Sequence, residues 1–151
     1  MTGGGYLLFL LSGRVFGAEL KGAVEIMPWR RGRRVPLSYS YVEGLIDYRG
    51  AIYPVFNVFQ RLGLKPLEPL GFIAEGPAET AAPQSIILLE ENKMLFGITV
   101  DSVVKMAKIA ELSPVPQQIH GVDPQYIKGV GYEDNKEIVI LDFERLLFHA
   151  G

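Results

Sequence analysis

Short apolar runs broken by small turns recur along the chain. Tyr6 to Leu11 and Arg14 to Leu20 are apolar or alternating runs on either side of Ser12-Gly13, which predicts a β-hairpin. Ser85 to Leu89 and Met94 to Val100 repeat that arrangement around Glu91-Asn92-Lys93. Gly44 to Tyr48 and Ala51 to Phe56 enclose a further tight turn, Arg49-Gly50, and Ala23 to Met27 reads as another strand. Pro54 has no N–H to give a ladder, so its strand is expected to be an edge at that point or to carry a bulge. Asn57 followed by Gln60 resembles a capping box opening a short helix through Leu62, stopped by Gly63. Asp142 is expected to cap an equivalent helix through Phe148. Strands about 8 to 12 residues apart with glycine turns predict an all-β chain built as small barrels or sandwiches.

The two halves repeat each other. Phe16 to Leu20 (FGAEL) matches Phe96 to Val100 (FGITV), Val24 meets Val104, and Val35-Pro36 meets Val115-Pro116, all at an offset of 80 residues. Tyr41 and Gly44 then meet Tyr126 and Gly129 at an offset of 85. A five-residue insertion within VPQQIHGVDPQY of the second half accounts for the change. The ordered matches predict a duplicated unit, and two copies make paired lobes rather than a solenoid. The expected organisation is a flexible tail over 1–5, a first β subdomain over 6–64, a linker over 65–84 rich in Pro, Ala, Gly and Glu, and a second β subdomain over 85–150. A half of roughly 60 residues is marginal alone, so the lobes are expected to share a core.

Composition narrows the function. Hydrophobic residues make up 48% of the 151, enough for a packed core. The net charge of −2 argues against a general polyanion binder. With no cysteine, disulfides, thiolate metal sites and cysteine nucleophiles are excluded. No apolar run approaches the roughly 20 residues of a membrane span. The Leu7 to Leu11 run is too short for a signal peptide, lacks a basic segment before it and is closed by Arg14. These features lead to the expectation of a cytoplasmic protein with no direct membrane insertion.

Little in the chain points to catalysis. The only histidines are His120 and His149, with no metal-ligand spacing around them, so neither a metal nor a cofactor is expected. No GxxxxGK[ST], GxGxxG or GxSxG occurs. Glu90-Glu91 alternates across a strand and reads as a solvated pair.

Two charged features remain. Trp29 to Arg34 reads WRRGRR, so Arg30, Arg31, Arg33 and Arg34 form a basic loop beside an indole. Three readings stay open: a solvated loop, a contact for an acidic protein surface, or a nucleic-acid-binding barrel that stacks bases on Trp29. Arg49 lies in a tight turn flanked by Tyr48 and Tyr53, residue types favoured at interfaces, and two readings stay open for it: a solvated turn or a contact residue. Between the matched core positions the halves differ in charge. Arg49 falls opposite Glu133-Asp134-Asn135, Glu25 opposite Lys105, and the basic loop opposite Ile109 to Pro114. The first half thus carries its own electrostatic face, as selective docking requires.

GLIDYRGAIYPVFNVFQRLG (Gly44 to Gly63) resembles the run that precedes a short helix in CheW-type chemotaxis coupling proteins, and FGITVDSV (Phe96 to Val103) resembles that family's second-half element. Val24 to Ile26, the Val-Pro pairs and YIKGVG (Tyr126 to Gly131) follow in the family's order, so the resemblance covers about residues 6 to 148. It implies two pseudo-equivalent five-stranded SH3-like β-barrels packed together, and a non-enzymatic adaptor. The implied partners are the regulatory domain of a CheA-like histidine kinase and a chemoreceptor's cytoplasmic tip. By the same resemblance Arg49 and Glu25 belong to the partner surface, with Tyr48 and Ala23 at neighbouring positions, and Gly44 and Gly50 allow the tight strand and turn. The chain departs from the pattern at Ala23, where the family has a larger aliphatic, and at Asp47-Tyr48, where it has Asn-Leu. The basic loop and the 65–84 linker depart too, one more basic and the other longer than usual.

Overall fold

The computed structural model describes residues 4–36, 38–67, 84–117, 119 and 121–148. In the first half it contains β1 (Gly4–Leu11), β2 (Arg14–Glu19), a 3-10 turn (Leu20–Gly22), β3 (Ala23–Pro28), β4 (Val42–Tyr48), β5 (Ala51–Phe56) and helix α1 (Val58–Leu62). In the second half β6 (Ser85–Glu91), β7 (Met94–Val100), β8 (Ser102–Ile109), a 3-10 turn (Pro124–Tyr126), β9 (Ile127–Glu133), β10 (Lys136–Leu141) and a π-helical turn (Glu144–Phe148) follow. The strands form two five-stranded sheets, in the orders β8-β1-β2-β10-β9 and β3-β6-β7-β5-β4.

Advancing every strand of the first order by one half-chain produces the second order. The register obeys the same rule. Gly17 faces Ile140 in the parallel β2–β10 pair, and Gly97 faces Val55 in the parallel β7–β5 pair. Arg33 bridges Leu45 and Ser113 bridges Val130, again at offsets of 80 and 85. The duplication is therefore structural as well as sequential.

The expected subdomain boundaries need correction. The β1–β2 hairpin of the first half completes the sheet of β8, β9 and β10, while the β6–β7 hairpin completes that of β3, β4 and β5. Neither 6–64 nor 85–150 is a sheet of its own. The parallel β2–β10 and β7–β5 pairs join strands far apart in sequence, which local patterning does not report. The tail is shorter than expected, because Gly4 and Gly5 pair with Ile109 and Lys108 in the β1–β8 ladder. Residues 68–83 of the linker lie outside the described residues. Pro54 meets the expectation of one-sided pairing. It stands opposite Leu45 of β4, and the pairing of β5 with β7 begins only at Val55.

The hairpin exchange explains the near-continuous apolar runs. In β1, Leu7, Phe9 and Leu11 enter the large core between the sheets, with Phe16, Phe96 and Phe143. Tyr6 and Leu8 point the other way, into a small core with Ile109, Ile138 and Ile140. The second sheet encloses a matching small core of Ile46, Tyr53, Val55, Ile86 and Leu88. Strands buried on both faces lose the polar alternation of a surface strand.

The halves also meet at Arg61. Its Nε donates to the carbonyl of Leu146 at 2.7 Å, and its guanidinium lies 5.2 Å from the Tyr41 ring and 5.5 Å from the Tyr126 ring. Positions 61 and 146, like 41 and 126, are equivalents in the repeat, so Arg61 sits where the two copies face each other. The helix ends follow the expected chemistry. Asn57 Oδ1 accepts from the Gln60 N–H at 3.1 Å, and Gly63 closes α1 at φ 75°. Asp142 Oδ1 accepts from the Arg145 N–H at 3.1 Å before the π-helical turn.

Candidate functional site

Four hairpins turn on paired positive-φ residues: Ser12-Gly13, Arg49-Gly50, Asn92-Lys93 and Asp134-Asn135. Such turns match strand twist and push their tips into solvent. The β4–β5 turn therefore places Arg49 outward, at φ 52°, with Gly50 at φ 81°. Both are exposed, and no atom lies within 4 Å of where a Cβ on Gly50 would stand.

The base of that turn is tied to β3. The Tyr48 hydroxyl donates to Glu25 Oε2 at 2.6 Å, and the Ile26 N–H donates to Glu25 Oε1 at 3.1 Å. Arg49 lies 5.2 Å from the Tyr48 ring centre, and Tyr48 meets Tyr53 edge-on. The Tyr48 hydroxyl, with help from the Ile26 N–H and the Arg49 charge, holds the Glu25 carboxyl below its ordinary pKa. The same bond raises the Tyr48 phenol. Glu25, Tyr48 and Arg49 thus form one clasp, a carboxylate and a cation joined through a tyrosine.

The repeat supplies an inverted copy. At the equivalent place on β8, Lys105 pairs with Glu133 and lies 3.8 Å from Asp134. The carboxylate of Glu133, then its charge, raises the pKa of Lys105. One clasp sets an acid on the strand and a base on the turn; the other reverses both signs.

The remaining expected site residues separate into surface and scaffold. Ala23 is half-buried, pairs with Leu89 and packs against the shared core. The exposed aliphatics of β3 are its neighbours Val24 and Ile26, which the sequence reading passed over. Exposure alternates along Ala23–Pro28, but the hydropathy of AVEIMP gives no sign of which face is covered, since it would turn Val24 and Ile26 in and Glu25 out. Ile52, on the hairpin that carries Arg49, is exposed too. Gly44 is buried, and a Cβ there would stand 2.7 Å from the Arg33 carbonyl oxygen and 3.0 Å from the Gly32 carbonyl carbon. Its role is close backbone approach.

That approach positions the basic loop. Arg33 and Leu45 exchange backbone hydrogen bonds, each 2.9 Å, and the Trp29 N–H donates to the Gln84 carbonyl. Arg30 Nη2 donates to the Asp47 carbonyl at 3.1 Å, which brings the loop to the strand that leads into the Arg49 turn. Arg31, Arg33 and Arg34 are exposed. Trp29 is half-buried against the small core of the second sheet, and its Nε1 donates to Glu43 Oε1 at 3.1 Å. Burial raises the pKa of Glu43 against the opposing effect of its neighbours Thr99 and Trp29. Glu43 Oε2 and the Thr99 hydroxyl are both buried without a hydrogen-bond partner.

Two clefts open among the described residues. A cleft of about 710 Å³ beside the start of β1 is lined by Gly4, Gly5, Leu20, Ile109 and Leu112, with Glu19, Lys21 and Glu111 among its charged groups. A second, of about 460 Å³, is lined by Glu19, Glu90, Glu91, Lys128, Asp142 and Glu144. Lys128 there reaches Glu91 at 3.3 Å and Glu19 at 3.6 Å. Among the described residues no group of three or more His, Asp or Glu is arranged to hold a metal ion, and no helix is long and apolar enough to cross a membrane. His120 and His149 lie outside the described residues.

Fold and surface together define a paired SH3-like barrel protein whose distinctive groups stand on turns and edge strands rather than in a cleft. The chain belongs to the CheW-like domain family, which it matches over residues 5–150. It is 25% identical to a probable chemotaxis protein CheW of Rhizobium etli, over 93% of this chain and 84% of that protein. It is 26% identical to the chemotaxis protein CheW of Treponema pallidum, over 91% of this chain and 78% of that one. The crystal structure of the scaffolding protein TtCheW from Thermoanaerobacter tengcongensis superposes with a TM-score of 0.79 at 23% identity, covering 100% of this chain and 90% of that one.

Proposed function

We propose that this protein is a non-enzymatic chemosensory adaptor that holds a CheA-like histidine kinase at the cytoplasmic tips of chemoreceptors. The observation that carries the reading is the Glu25–Tyr48–Arg49 clasp. It ties the hairpin that carries the exposed Arg49 and Ile52 to β3, whose Val24 and Ile26 are exposed. A scaffold needs rigid patches of matching shape and charge, not reactive groups. Receptor packing would then bias the docked kinase through differential contacts to its conformations.

The binding of this chain to the kinase regulatory domain, measured by calorimetry, tests the reading. Arg49→Ala is expected to weaken it by about 1 to 3 kcal/mol, an interface hot-spot magnitude, without changing the melting curve. Unchanged affinity for both kinase and receptor tip would remove Arg49 from the docking surface. The nucleic-acid reading of the basic loop loses its stacking platform, because the Trp29 indole is packed against the small core and its N–H is bonded to Glu43.

A further inference from the structure

The basic loop has a counterpart in the second half that lacks its charge. At the offset of 80, Trp29 to Arg34 falls on Ile109 to Pro114. Both loops are seated in the same way. Trp29 packs against the small core of the second sheet, and Ile109 lies in the small core of the first. Arg33 bridges Leu45, and Ser113 bridges Val130. Gly44 receives the Gly32-Arg33 backbone, and its equivalent Gly129 receives the Leu112 side chain. The second loop reads IAELSP and holds this course without a basic residue. The four arginines are therefore not what seats the loop.

Nor are their charges used within the fold. Arg30 donates to a carbonyl, that of Asp47. Arg31, Arg33 and Arg34 are exposed, and among the described residues no carboxylate pairs with their guanidinium groups. Two acids of the neighbouring strands are engaged elsewhere, Glu25 by the Tyr48 hydroxyl and Glu43 by the Trp29 indole. Cations crowded onto a backbone that holds them in place repel one another until an anion arrives. We propose that this loop binds a carboxylate-rich segment of a partner protein, a run of Asp or Glu side chains, with residues other than those of the Glu25–Tyr48–Arg49 clasp.

Residue type and surroundings choose that occupant. All four cations are arginine and none is lysine. Attraction to an anionic lipid surface treats the two alike, whereas the guanidinium fork holds a carboxylate through two parallel hydrogen bonds. The chain carries a net charge of −2 in spite of these four charges, so the rest of its surface repels an extended anion such as a membrane or a nucleic-acid strand. A single strand would also want an aromatic face, and the Trp29 ring is spent on the core. A short acidic segment meets the loop without meeting that repulsion. Nothing in this surface depends on the kinase reading, and the test contains no kinase.

Fluorescence anisotropy of a labelled oligoglutamate peptide, titrated with the full chain, tests it at about 0.05 M and about 0.5 M salt, either side of the ionic strength where the screening length is about 10 Å. Binding is expected at low salt and is expected to weaken at high salt. R31Q/R33Q/R34Q should lose about tenfold or more in affinity, since three charge-assisted contacts go. R31K/R33K/R34K keeps the charge without the fork and should fall between that variant and wild type. K93Q/K108Q/K136Q removes the same charge from exposed positions of the second half and should bind as wild type does. A wild-type chain that does not bind the peptide at low salt overturns the proposal. So does a glutamine loop variant that binds as wild type does, a lysine loop variant that binds as wild type does, or a second-half control weakened as much as the loop variant. Tighter binding to phosphatidylserine vesicles or to oligothymidine than to the peptide overturns the choice of an acidic protein segment. Should a loop variant fail to fold, amide NMR of the wild-type chain locates the peptide: shifts centred on Arg30 to Arg34 support the proposal, and shifts centred elsewhere overturn it.

Discussion

Gly44→Val probes the close contact that seats the basic loop on β4. The glycine Cα faces the Gly32-Arg33 backbone so closely that a Cβ would stand 2.7 Å from the Arg33 oxygen and 3.1 Å from the Gly32 Cα. Both neighbours are backbone, so no side chain can swing aside. The loop must lift, and the two Arg33–Leu45 hydrogen bonds, each 2.9 Å, are the first to go. At about 1 kcal/mol apiece, with about 1 kcal/mol more for overpacking, the expected loss is about 3 kcal/mol. For a domain of 151 residues that lowers Tm by roughly 6 to 12 °C. Circular dichroism melting measures it, and hydrogen exchange at the Leu45 amide locates it. Gly50→Ala is the control, because its Cβ meets nothing within 4 Å and its cost is only the strain of φ 81°, about 1 to 2 kcal/mol. A Gly44→Val protein that melts with the wild type would refute the close-approach reasoning.

Two titration predictions follow from the same region. Tyr48→Phe removes the first cause of the low Glu25 pKa, so the carboxyl is expected to titrate at higher pH, followed by NMR of its carboxyl carbon. Any stability from that depressed pKa is present above the unfolded carboxylate pKa and lost as pH falls through the folded value. An unmoved Glu25 titration in Tyr48→Phe would show that the hydroxyl is not its main partner. For Glu43 the sign reverses: its folded pKa is raised, so stability is greatest below the unfolded value and declines as pH rises through the folded one. Glu43→Gln keeps an acceptor for Trp29 Nε1 and adds a donor for Thr99. It is expected to raise stability at pH 8 by about 1 kcal/mol and to flatten the pH dependence, read by urea unfolding at several pH values. A variant less stable than wild type at pH 8 would mean that the ionised carboxylate is needed there.

Much of the framework was legible in the residues. The hairpins at Ser12-Gly13 and Arg49-Gly50, the Asn57 cap and the Gly63 stop are written in local chemistry, which acts over two to four residues and survives in any fold. The repeat was legible because equivalent core positions keep their size. Gly17 and Gly97 each face an aliphatic across a parallel pair, and an added Cβ at either would crowd that neighbour. The charge inversion between Arg49 and Asp134 could also be read, since it needs only the alignment of the chain with itself.

The candidate surface was legible only in part. Glu25, Tyr48 and Arg49 were expected together, and the structure joins them by one hydrogen bond and one cation–π contact. Ala23 was expected beside them and turns inward, while Val24 and Ile26 turn out. A strand's alternation names two faces, and only the sheet stacked against it says which one is buried.

By itself the sequence determined the strands, their turns, the duplication and the opposite charges of its two halves, because each depends on neighbours along the chain or on comparison of like with like. Tertiary structure alone decided that the halves exchange their first hairpins, that Trp29 serves the core, and that Arg61 lies between the two copies. These outcomes depend on which distant surfaces bury each other, and apolar burial is non-directional until the partner surface is in place.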